Sequence, residues 1–212
     1  MSFDVICFDC DSTLSKIEGI DELARCVGVG EEMSKLTDAA MNGELPLEAV
    51  YERRLSIIRP DQKSIDWVAD LYIAEIVDGV KEVFSTLLAQ GKTVHIISGG
   101  LRQAILPLAQ HLGLPESHVH AVDIYFDETG DYQGFDQDSP LAKTGGKSVV
   151  VSGLKSDASL VMIGDGKTDL EAKQAGAYVI GFGGVVDRAI VRESADFYST
   201  EASLHFVLDH VL

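Results

Sequence analysis

The segment DVICFDCDSTL, residues 4–14, constrains the fold more than any other part of the chain. Residues 5–8 are an apolar run without polar alternation, which is typical of a strand buried on both faces of a parallel sheet. The run ends at Asp9 and Asp11, and two carboxylates at the mouth of a buried strand are costly unless they bind a cation or take part in chemistry. Ligands of open α/β sheets bind at that mouth. The alternative is that Asp11 or Ser12 only caps a following helix.

The stretch after this strand has the periodicity of helices only. Apolar residues recur at helical spacing in four segments, which begin near Ile20, Glu31, Pro46 and Asp61. Four short amphipathic helices in succession predict a small helical bundle. Because about eighty residues separate the first strand from the next, far more than a usual crossover needs, we expect residues 15–77 to form a cap domain over the mouth of the strand.

Strands and helices alternate from Asp78 onward, as in a parallel sheet covered by helices. Apolar runs predict further strands at residues 93–97, 119–126, 132–135, 160–163, 178–182 and 195–198, with 119–126 and 132–135 flanking a hairpin turn. Helices are expected at residues 80–90, 101–112, 148–154, 167–175, 187–193 and 201–212. The predicted fold class is therefore α/β, with a core domain of residues 1–14 and 78–212.

Composition and charge limit the classes of function. The chain has 212 residues, 46% of them hydrophobic, and a formal net charge of -17, so nucleic acids and anionic membrane surfaces are unfavourable partners. The sequence lacks a long apolar run for a membrane span and a basic N-terminal region for a secretory signal, which indicates a cytoplasmic protein. Cys7 and Cys10 form a C-x-x-C pair, but Cys7 lies inside the predicted first strand, which argues against a redox or zinc site.

Polar residues follow three of the predicted strands: Asp9 and Asp11 the first, Ser98 the second, and Asp165 the strand at 160–163. The carboxyl ends of parallel strands meet at one edge of the sheet, so these side chains can converge. Carboxylates in this number suit Mg²⁺, which binds a few acidic oxygens together with water and phosphate oxygens. Lys147, just before a predicted helix, and the Ser98 hydroxyl are suited to hold phosphate oxygens. A carboxylate nucleophile would then form an aspartyl-phosphate intermediate.

Four motifs occur in the order and spacing of one superfamily. They are DVICFDCDSTL at residues 4–14, ISGG at 97–100, GGK at 145–147 and GDGKTD at 164–169. With these motifs the chain resembles the phosphatases of the haloacid dehalogenase superfamily. EGIDELA at residues 18–24 and MNGELP at 41–46 resemble the cap of its phosphoserine phosphatases. The resemblance implies a Rossmann-like sheet with a helical cap of the C1 type, and Mg²⁺-dependent hydrolysis of a phosphomonoester, with phosphoserine the favoured substrate.

The resemblance also implies a role for each matching residue. Asp9 would attack phosphorus, and Asp11 would protonate the leaving alkoxide and then activate water. Mg²⁺ would bind Asp9, the backbone carbonyl of Asp11 and Asp165, while Asp169 would support these ligands from behind. Glu18 and Arg54 would bind the amino and carboxylate groups of phosphoserine. The residues implied to contact the substrate are Glu18, Met41, Arg54, Ser98, Gly99, Lys147 and Thr168.

Taken singly, these residues have structural alternatives. Ser98 is compatible with a helix cap, and Lys147, Arg54 and Glu18 are compatible with solvated surface positions. The chain also departs from the family pattern at Val122-Asp123, where members commonly carry Asn-Arg. Another small-molecule phosphatase or phosphotransferase of the same superfamily is therefore the alternative function. A phospho-accepting signalling module is a more distant alternative, because it has no cap. We expect a monomer or a homodimer.

Overall fold

Strand β1 (Val5–Phe8) lies inside a parallel sheet, and all of its residues are buried. In this structure, a computed structural model that describes residues 2–154 and 159–212, β1 pairs with β2 (Thr93–Leu101) on one side and with β6 (Leu160–Gly164) on the other. A strand with neighbours on both edges and helices on both faces has no solvated side, which is why its sequence is an unbroken apolar run.

The remaining elements continue the alternation of strand and helix. The other strands are β3 (Val119–Val122), β4 (Ile124–Phe126), β5 (Tyr132–Phe135), β7 (Tyr178–Phe182) and β8 (Phe197–Ser199). The helices are α1 (Gly19–Cys26), α2 (Gly30–Met41), α3 (Leu47–Ile58), α4 (Gln62–Ala74), α5 (Val80–Ala89), α6 (Arg102–His111), α7 (Gly146–Leu154), α8 (Lys167–Leu170), α9 (Ala189–Ser194) and α10 (Phe206–Val211).

The main sheet has the strand order β3-β2-β1-β6-β7-β8, and all of its pairings are parallel. The carboxyl ends of β1, β2 and β6 therefore lie side by side at the centre of one edge. The predicted α/β class with a parallel Rossmann-like sheet is confirmed. This arrangement brings the residues after three distant strands to a single place.

The prediction of one strand over residues 119–126 is wrong. The chain breaks at Asp123, so β3 pairs with β2 in the main sheet and β4 pairs antiparallel with β5 in a separate hairpin. Strand β2 is also longer than predicted and continues through Ser98 to Leu101, with an irregular register after Ile97. The terminal helix is shorter than predicted and begins at Phe206. Apolar alternation does not reveal where a strand leaves one sheet for another.

Helices α1 to α4 lie between β1 and α5 in the sequence, and they pack on one another. Asp61 caps α4, since its Oδ1 accepts a hydrogen bond of 2.8 Å from the Ser64 amide. The two connections to this bundle run side by side, with Lys16 N donating to Glu75 O at 2.9 Å and Val77 N to Leu14 O at 2.9 Å. The domain boundary at residues 15–77 stays a prediction. Among the described residues, the helices are all too short or too polar to cross a membrane.

Candidate active site

Three buried carboxylates meet at the carboxyl edge of the sheet. Asp9 follows β1, Asp165 follows β6, and Asp169 lies in α8, and their side-chain oxygens lie within 4.8 Å of one another. Each of the three residues is at most 6% exposed. Since buried carboxylates repel one another and lose hydration, the group is unfavourable without a compensating cation.

Lys147 supplies one positive charge to this group. Its Nζ lies 2.8 Å from Asp9 Oδ1 and 2.6 Å from Asp169 Oδ1, and the lysine is buried. Lys147 lies in the first turn of α7 rather than before the helix as predicted. Burial by itself would lower the pKa of Lys147, but Asp169 and Asp9 outweigh it and raise the pKa, so the lysine is a permanent cation in the site.

The negative charge of the three acids exceeds the positive charge of Lys147. This excess is the test of whether a metal ion fits the site. Burial first, and then repulsion from Asp9, raise the pKa of Asp165 to about 7 in spite of the opposing contact with Arg188. A carboxylate whose ionised form is this unfavourable would be stabilised by a divalent cation. Hard carboxylate oxygens close to one another form a donor set that suits Mg²⁺.

Asp169 stands behind the other two acids. Its Oδ1 accepts from Lys147, and its Oδ2 accepts from the Gly166 amide at 2.9 Å. A Cβ atom on Gly164 would lie 2.1 Å from the Asp169 carboxyl carbon, so only glycine allows the carboxylate to pack on the end of β6. With both oxygens engaged, Asp169 is better placed to orient its neighbours than to bind a metal directly.

Asp11 has its carboxylate fixed from the helical bundle. Its Oδ1 accepts hydrogen bonds from the Gly19 amide at 2.7 Å and from the Tyr72 hydroxyl at 2.6 Å, while Oδ2 lies 3.4 Å from Ser98 Oγ. Burial and the charge of Asp9 raise the pKa of Asp11, although the bonds from Gly19 and Tyr72 oppose them. A carboxyl group that holds a proton more readily than usual is suited to general acid catalysis.

The turn between β1 and α1 has an unusual backbone. Ser12 adopts φ 52°, the left-handed region that non-glycine residues seldom occupy. Its hydroxyl donates to Glu18 Oε1 at 2.7 Å, and this contact directs Glu18 into a cavity that Asp9 and Asp165 also line. Burial and the charges of Asp11 and Asp165 raise the pKa of Glu18 well above its usual value. A backbone held in a rare conformation next to a predicted catalytic residue, here Asp11, is a recurrent feature of functional sites.

Arg54 lies in α3, lines the same cavity and is 4% exposed. Its Nη1 donates to Thr37 Oγ1 at 3.0 Å, and Thr37 in turn donates to Asp21 Oδ1 at 2.7 Å. Its Nε has no hydrogen-bond partner among the described residues. A buried guanidinium that contacts a carboxylate only through a hydroxyl has donors left for an anionic ligand.

One cavity is lined by nearly all of the residues predicted from sequence. The predicted residues that line it are Asp9, Asp11, Glu18, Met41, Arg54, Ser98, Gly99, Lys147, Asp165 and Thr168. Asp169 is fully buried behind the wall. Met41 Sδ lies 3.9 Å from Thr168 Oγ1, which joins the bundle to the core, and Gly99 O accepts from the Tyr51 hydroxyl at 2.9 Å. The structure thus brings residues from both predicted domains to one cavity.

Several residues at the site were not predicted from sequence. Arg188 Nε donates to Asp165 Oδ2 at 3.3 Å, and its Nη1 lies 3.2 Å from Asp38 Oδ1 in α2. Thr13 Oγ1 also contacts Asp165, at 3.4 Å. Arg188 follows β7, the neighbour of β6 in the sheet, but residues 183–187 separate it from the end of the strand, so the rule that selected Asp165 does not find it. Tyr72 and Thr37 carried no such signal either, since each lies on the face of an amphipathic helix.

Comparisons with known proteins agree with this geometry. The family model described as haloacid dehalogenase-like hydrolase matches residues 3–176. The phosphoserine phosphatase of Bos taurus is 38% identical over 203 residues, which cover 94% of this chain and 90% of the relative. That of Drosophila melanogaster is 41% identical over 201 residues, 93% of this chain and 74% of the relative.

A solved structure described as a phospho-aspartyl intermediate analogue of phosphoserine phosphatase superposes with a TM-score of 0.83 at 26% identity, over 100% of both chains. The family model covers most of the core strands and all of the clustered acids, and the similarity of fold extends over the entire chain. On this evidence the chain belongs to the haloacid dehalogenase-like hydrolases.

Proposed function

We propose that this protein hydrolyses phosphomonoesters through a phosphorylated aspartate, and that its substrate is O-phosphoserine. The observation that carries the proposal is one cavity that Asp9, Lys147 and Asp165 line together with Glu18 and Arg54. The first three residues suit a phosphoryl group, and Glu18 and Arg54 suit an ammonium and a carboxylate. The names of the bovine and fruit-fly relatives support the same substrate.

The reaction has two displacements. Asp9 attacks phosphorus, the bond from phosphorus to the serine oxygen breaks, and that oxygen takes a proton from Asp11. Water then attacks the phosphoryl group on Asp9 and gives a proton to Asp11, which releases inorganic phosphate and restores both acids. Lys147 and Ser98 hold the phosphoryl oxygens during both steps, because their donors lie next to Asp9 and Asp11.

We assign the metal ligands to Asp9, Asp165 and the backbone carbonyl of Asp11, with Asp169 as the residue that orients them. A bound Mg²⁺ would neutralise charge on the phosphoryl oxygens and on the acids that surround them. The excess of carboxylates over Lys147 and the raised pKa of Asp165 support this assignment. Asp169 would act through its hydrogen bonds to Lys147 and the Gly166 amide.

We further propose that residues 15–77 act as the cap that selects the substrate. Glu18 would bind the ammonium group, Arg54 the carboxylate, and Met41 the apolar side of the serine moiety, while Gly99 and Thr168 would approach the substrate. Arg54 has the geometry for a carboxylate because its guanidinium can donate two parallel hydrogen bonds. Closure of such a cap would exclude water from the reaction.

The test is phosphate release from a panel of O-phosphoserine, O-phosphothreonine and a sugar phosphate, with Mg²⁺ and after chelation. We expect phosphoserine to be preferred and Mg²⁺ to be required. Asp9→Asn should abolish turnover, because an amide cannot form the phosphorylated intermediate. Preference for the sugar phosphate would overturn the substrate, and retained turnover in Asp9→Asn would overturn the mechanism.

A further inference from the structure

Tyr72 has an unusual place for a residue of the helical bundle. It lies in α4 and is 1% exposed, yet its hydroxyl reaches the carboxylate of Asp11 at the end of β1. The distance from Tyr72 Oη to Asp11 Oδ1 is 2.6 Å, and a phenol that meets a carboxyl group donates its hydrogen. A side chain of the bundle thus contacts the residue to which we assign proton transfer.

The two oxygens of Asp11 have different surroundings. Oδ1 accepts from both the Tyr72 hydroxyl and the Gly19 amide, whereas Oδ2 is the oxygen on the side of Ser98. Two donors on one oxygen fix the rotation of the carboxyl group and leave the other oxygen to exchange a proton. Without Tyr72, the carboxyl group would keep the Gly19 amide on Oδ1 and only the long contact of 3.4 Å from Ser98 Oγ on Oδ2, which would hold it less firmly.

The packing around Gly19 shows that the Tyr72 hydroxyl occupies the space that a side chain at position 19 would need. A Cβ atom on Gly19 would lie 2.2 Å from Tyr72 Oη, 2.8 Å from Tyr72 Cζ and 3.3 Å from Val68 Cγ1. Any larger residue at position 19 would push the tyrosine away from Asp11. Glycine at the start of α1 and tyrosine near the end of α4 are therefore fitted to each other around one carboxyl oxygen.

We propose that Tyr72 is a positioning residue for Asp11. The Tyr72 hydroxyl holds Oδ1 of Asp11, so that Oδ2 faces the leaving-group oxygen of the substrate. The inference rests on the proposed function, in which that oxygen takes its proton from Asp11 as its bond to phosphorus breaks. It adds a specific role for the cap, because proton delivery then needs the hydroxyl of α4 in place.

The experiment compares leaving groups in Tyr72→Phe, which removes a single oxygen. The serine alkoxide needs a proton as it departs, whereas p-nitrophenolate is stable without one. The measured quantity is kcat/KM, which includes only the steps up to departure of the leaving group. With Mg²⁺ saturating, we expect kcat/KM for phosphoserine to fall at least about tenfold and that for p-nitrophenyl phosphate to change by less than about twofold, because general acid catalysis matters only for the poor leaving group.

Tyr51→Phe is the matched control. Tyr51 is also a buried tyrosine on this cavity, but its hydroxyl donates to Gly99 O rather than to Asp11. In Tyr51→Phe, the ratio of kcat/KM for phosphoserine to kcat/KM for p-nitrophenyl phosphate should stay at the wild-type value. Equal losses on both substrates in Tyr72→Phe, an unchanged rate on phosphoserine, or the same change of ratio in Tyr51→Phe would each overturn the proposal.

Gly19→Ala is an independent variant, because its methyl group would displace the Tyr72 hydroxyl while the amide stays. The same selective loss on phosphoserine is expected, with circular dichroism to verify folding; if this variant does not fold, Tyr72→Phe decides. If wild type prefers another alkyl phosphate to phosphoserine, the proposed substrate is wrong. The comparison of Tyr72→Phe on that alkyl phosphate then decides the present inference separately.

Discussion

Lys147 and Asp169 form a fully buried ion pair, with 2.6 Å between Nζ and Oδ1. The lysine also lies 2.8 Å from Asp9, so one ammonium joins the proposed nucleophile to the acid behind it. A charge taken out of water is stable only when its partner is kept. The pair thus has a structural role and a chemical one, and the two can be separated experimentally.

Lys147→Met should destabilise the protein and inactivate it. Without the ammonium, Asp9 and Asp169 are buried without a counter-charge, and we expect the free energy of unfolding to fall by about 3 kcal/mol. Turnover should fall by more than about a hundredfold, because the donor to the phosphoryl oxygens is lost. Urea denaturation in the presence of a chelator measures the first effect, and initial rates with Mg²⁺ measure the second.

Lys143→Met is the control for stability, since Lys143 borders the same cavity but is exposed. Its free energy of unfolding should stay within about 0.5 kcal/mol of wild type. A Lys147→Met variant as stable as Lys143→Met would show that the ion pair contributes nothing to the fold.

Mg²⁺ should stabilise the wild-type protein but not Asp165→Asn. A ligand at a hundred times its Kd adds about 2.7 kcal/mol to the folded state, which is roughly 5–10 °C in Tm for a chain of this size. The amide is a poorer ligand than the carboxylate and carries no charge. Thermal unfolding monitored by circular dichroism, with MgCl₂ and with a chelator, measures the difference.

Asp38→Asn is the matched control, because Asp38 also contacts Arg188 but lies outside the group of clustered acids. It should retain the full increase in Tm. If Asp165→Asn kept the same increase, Mg²⁺ would bind elsewhere.

The carboxyl edge of the sheet could be predicted because its causes are local in sequence. Unbroken apolar runs before Asp9 and Asp165 identify central strands, and parallel strands place their ends together whatever lies between them. The same reasoning accounts for Ser98 at the end of its predicted strand. The parallel pairing of the strands is enough to infer that such side chains meet.

Tyr72, Thr37 and Arg188 show where this reasoning stops. Tyr72 fits the apolar face of α4 in the sequence, and only the packing of α4 beside Gly19 directs its hydroxyl to Asp11. Thr37 connects Arg54 with Asp21 only because α1, α2 and α3 meet. The break at Asp123 has the same character, since the residue pattern is continuous while the chain changes its partner strand. Tertiary packing decides these details.

Arg54→Met should discriminate between substrates with and without a carboxylate. Loss of charge-assisted hydrogen bonds should lower kcat/KM for phosphoserine by about 10- to 100-fold. O-phosphoethanolamine lacks the carboxylate, so its kcat/KM should change by less than about threefold, since the lost bonds have no counterpart there. Steady-state phosphate release with both substrates gives the comparison.

Arg53→Met is the control for Arg54→Met, because the neighbouring arginine is exposed and pairs with Glu32 at the surface. It should leave both kcat/KM values near wild type. Equal losses of kcat/KM on the two substrates in Arg54→Met would show that the arginine binds the phosphoryl group or supports the fold rather than binding the carboxylate.

A cluster of three histidines, His95, His118 and His120, should make stability depend on pH. The buried ring of His95 stacks on His118, with ring centroids 4.4 Å apart, and its Nδ1 lies 3.1 Å from His120 Nε2. Burial, and then His118 and His120, lower the pKa of His95 to about 4. Burial, His118 and Arg102 likewise lower the pKa of His120. The neighbouring side chains are all basic, and the hydrogen bond of His95 with the backbone of His118 opposes the shift without outweighing it.

The direction in which stability changes with pH follows from proton binding. Unfolded histidine has a pKa near about 6.5, so between that value and about 4 the unfolded chain binds more protons than the folded one, and stability falls as pH falls. We expect His95→Phe to remove about 1–2 kcal/mol of this decline, less than the full shift implies because the cluster lies near the edge strand β3. Urea denaturation from pH 7.5 to 4.5 measures it. His111→Gln changes an exposed histidine and should keep the wild-type slope; identical slopes in His95→Phe and wild type would mean that His95 titrates normally in the folded protein.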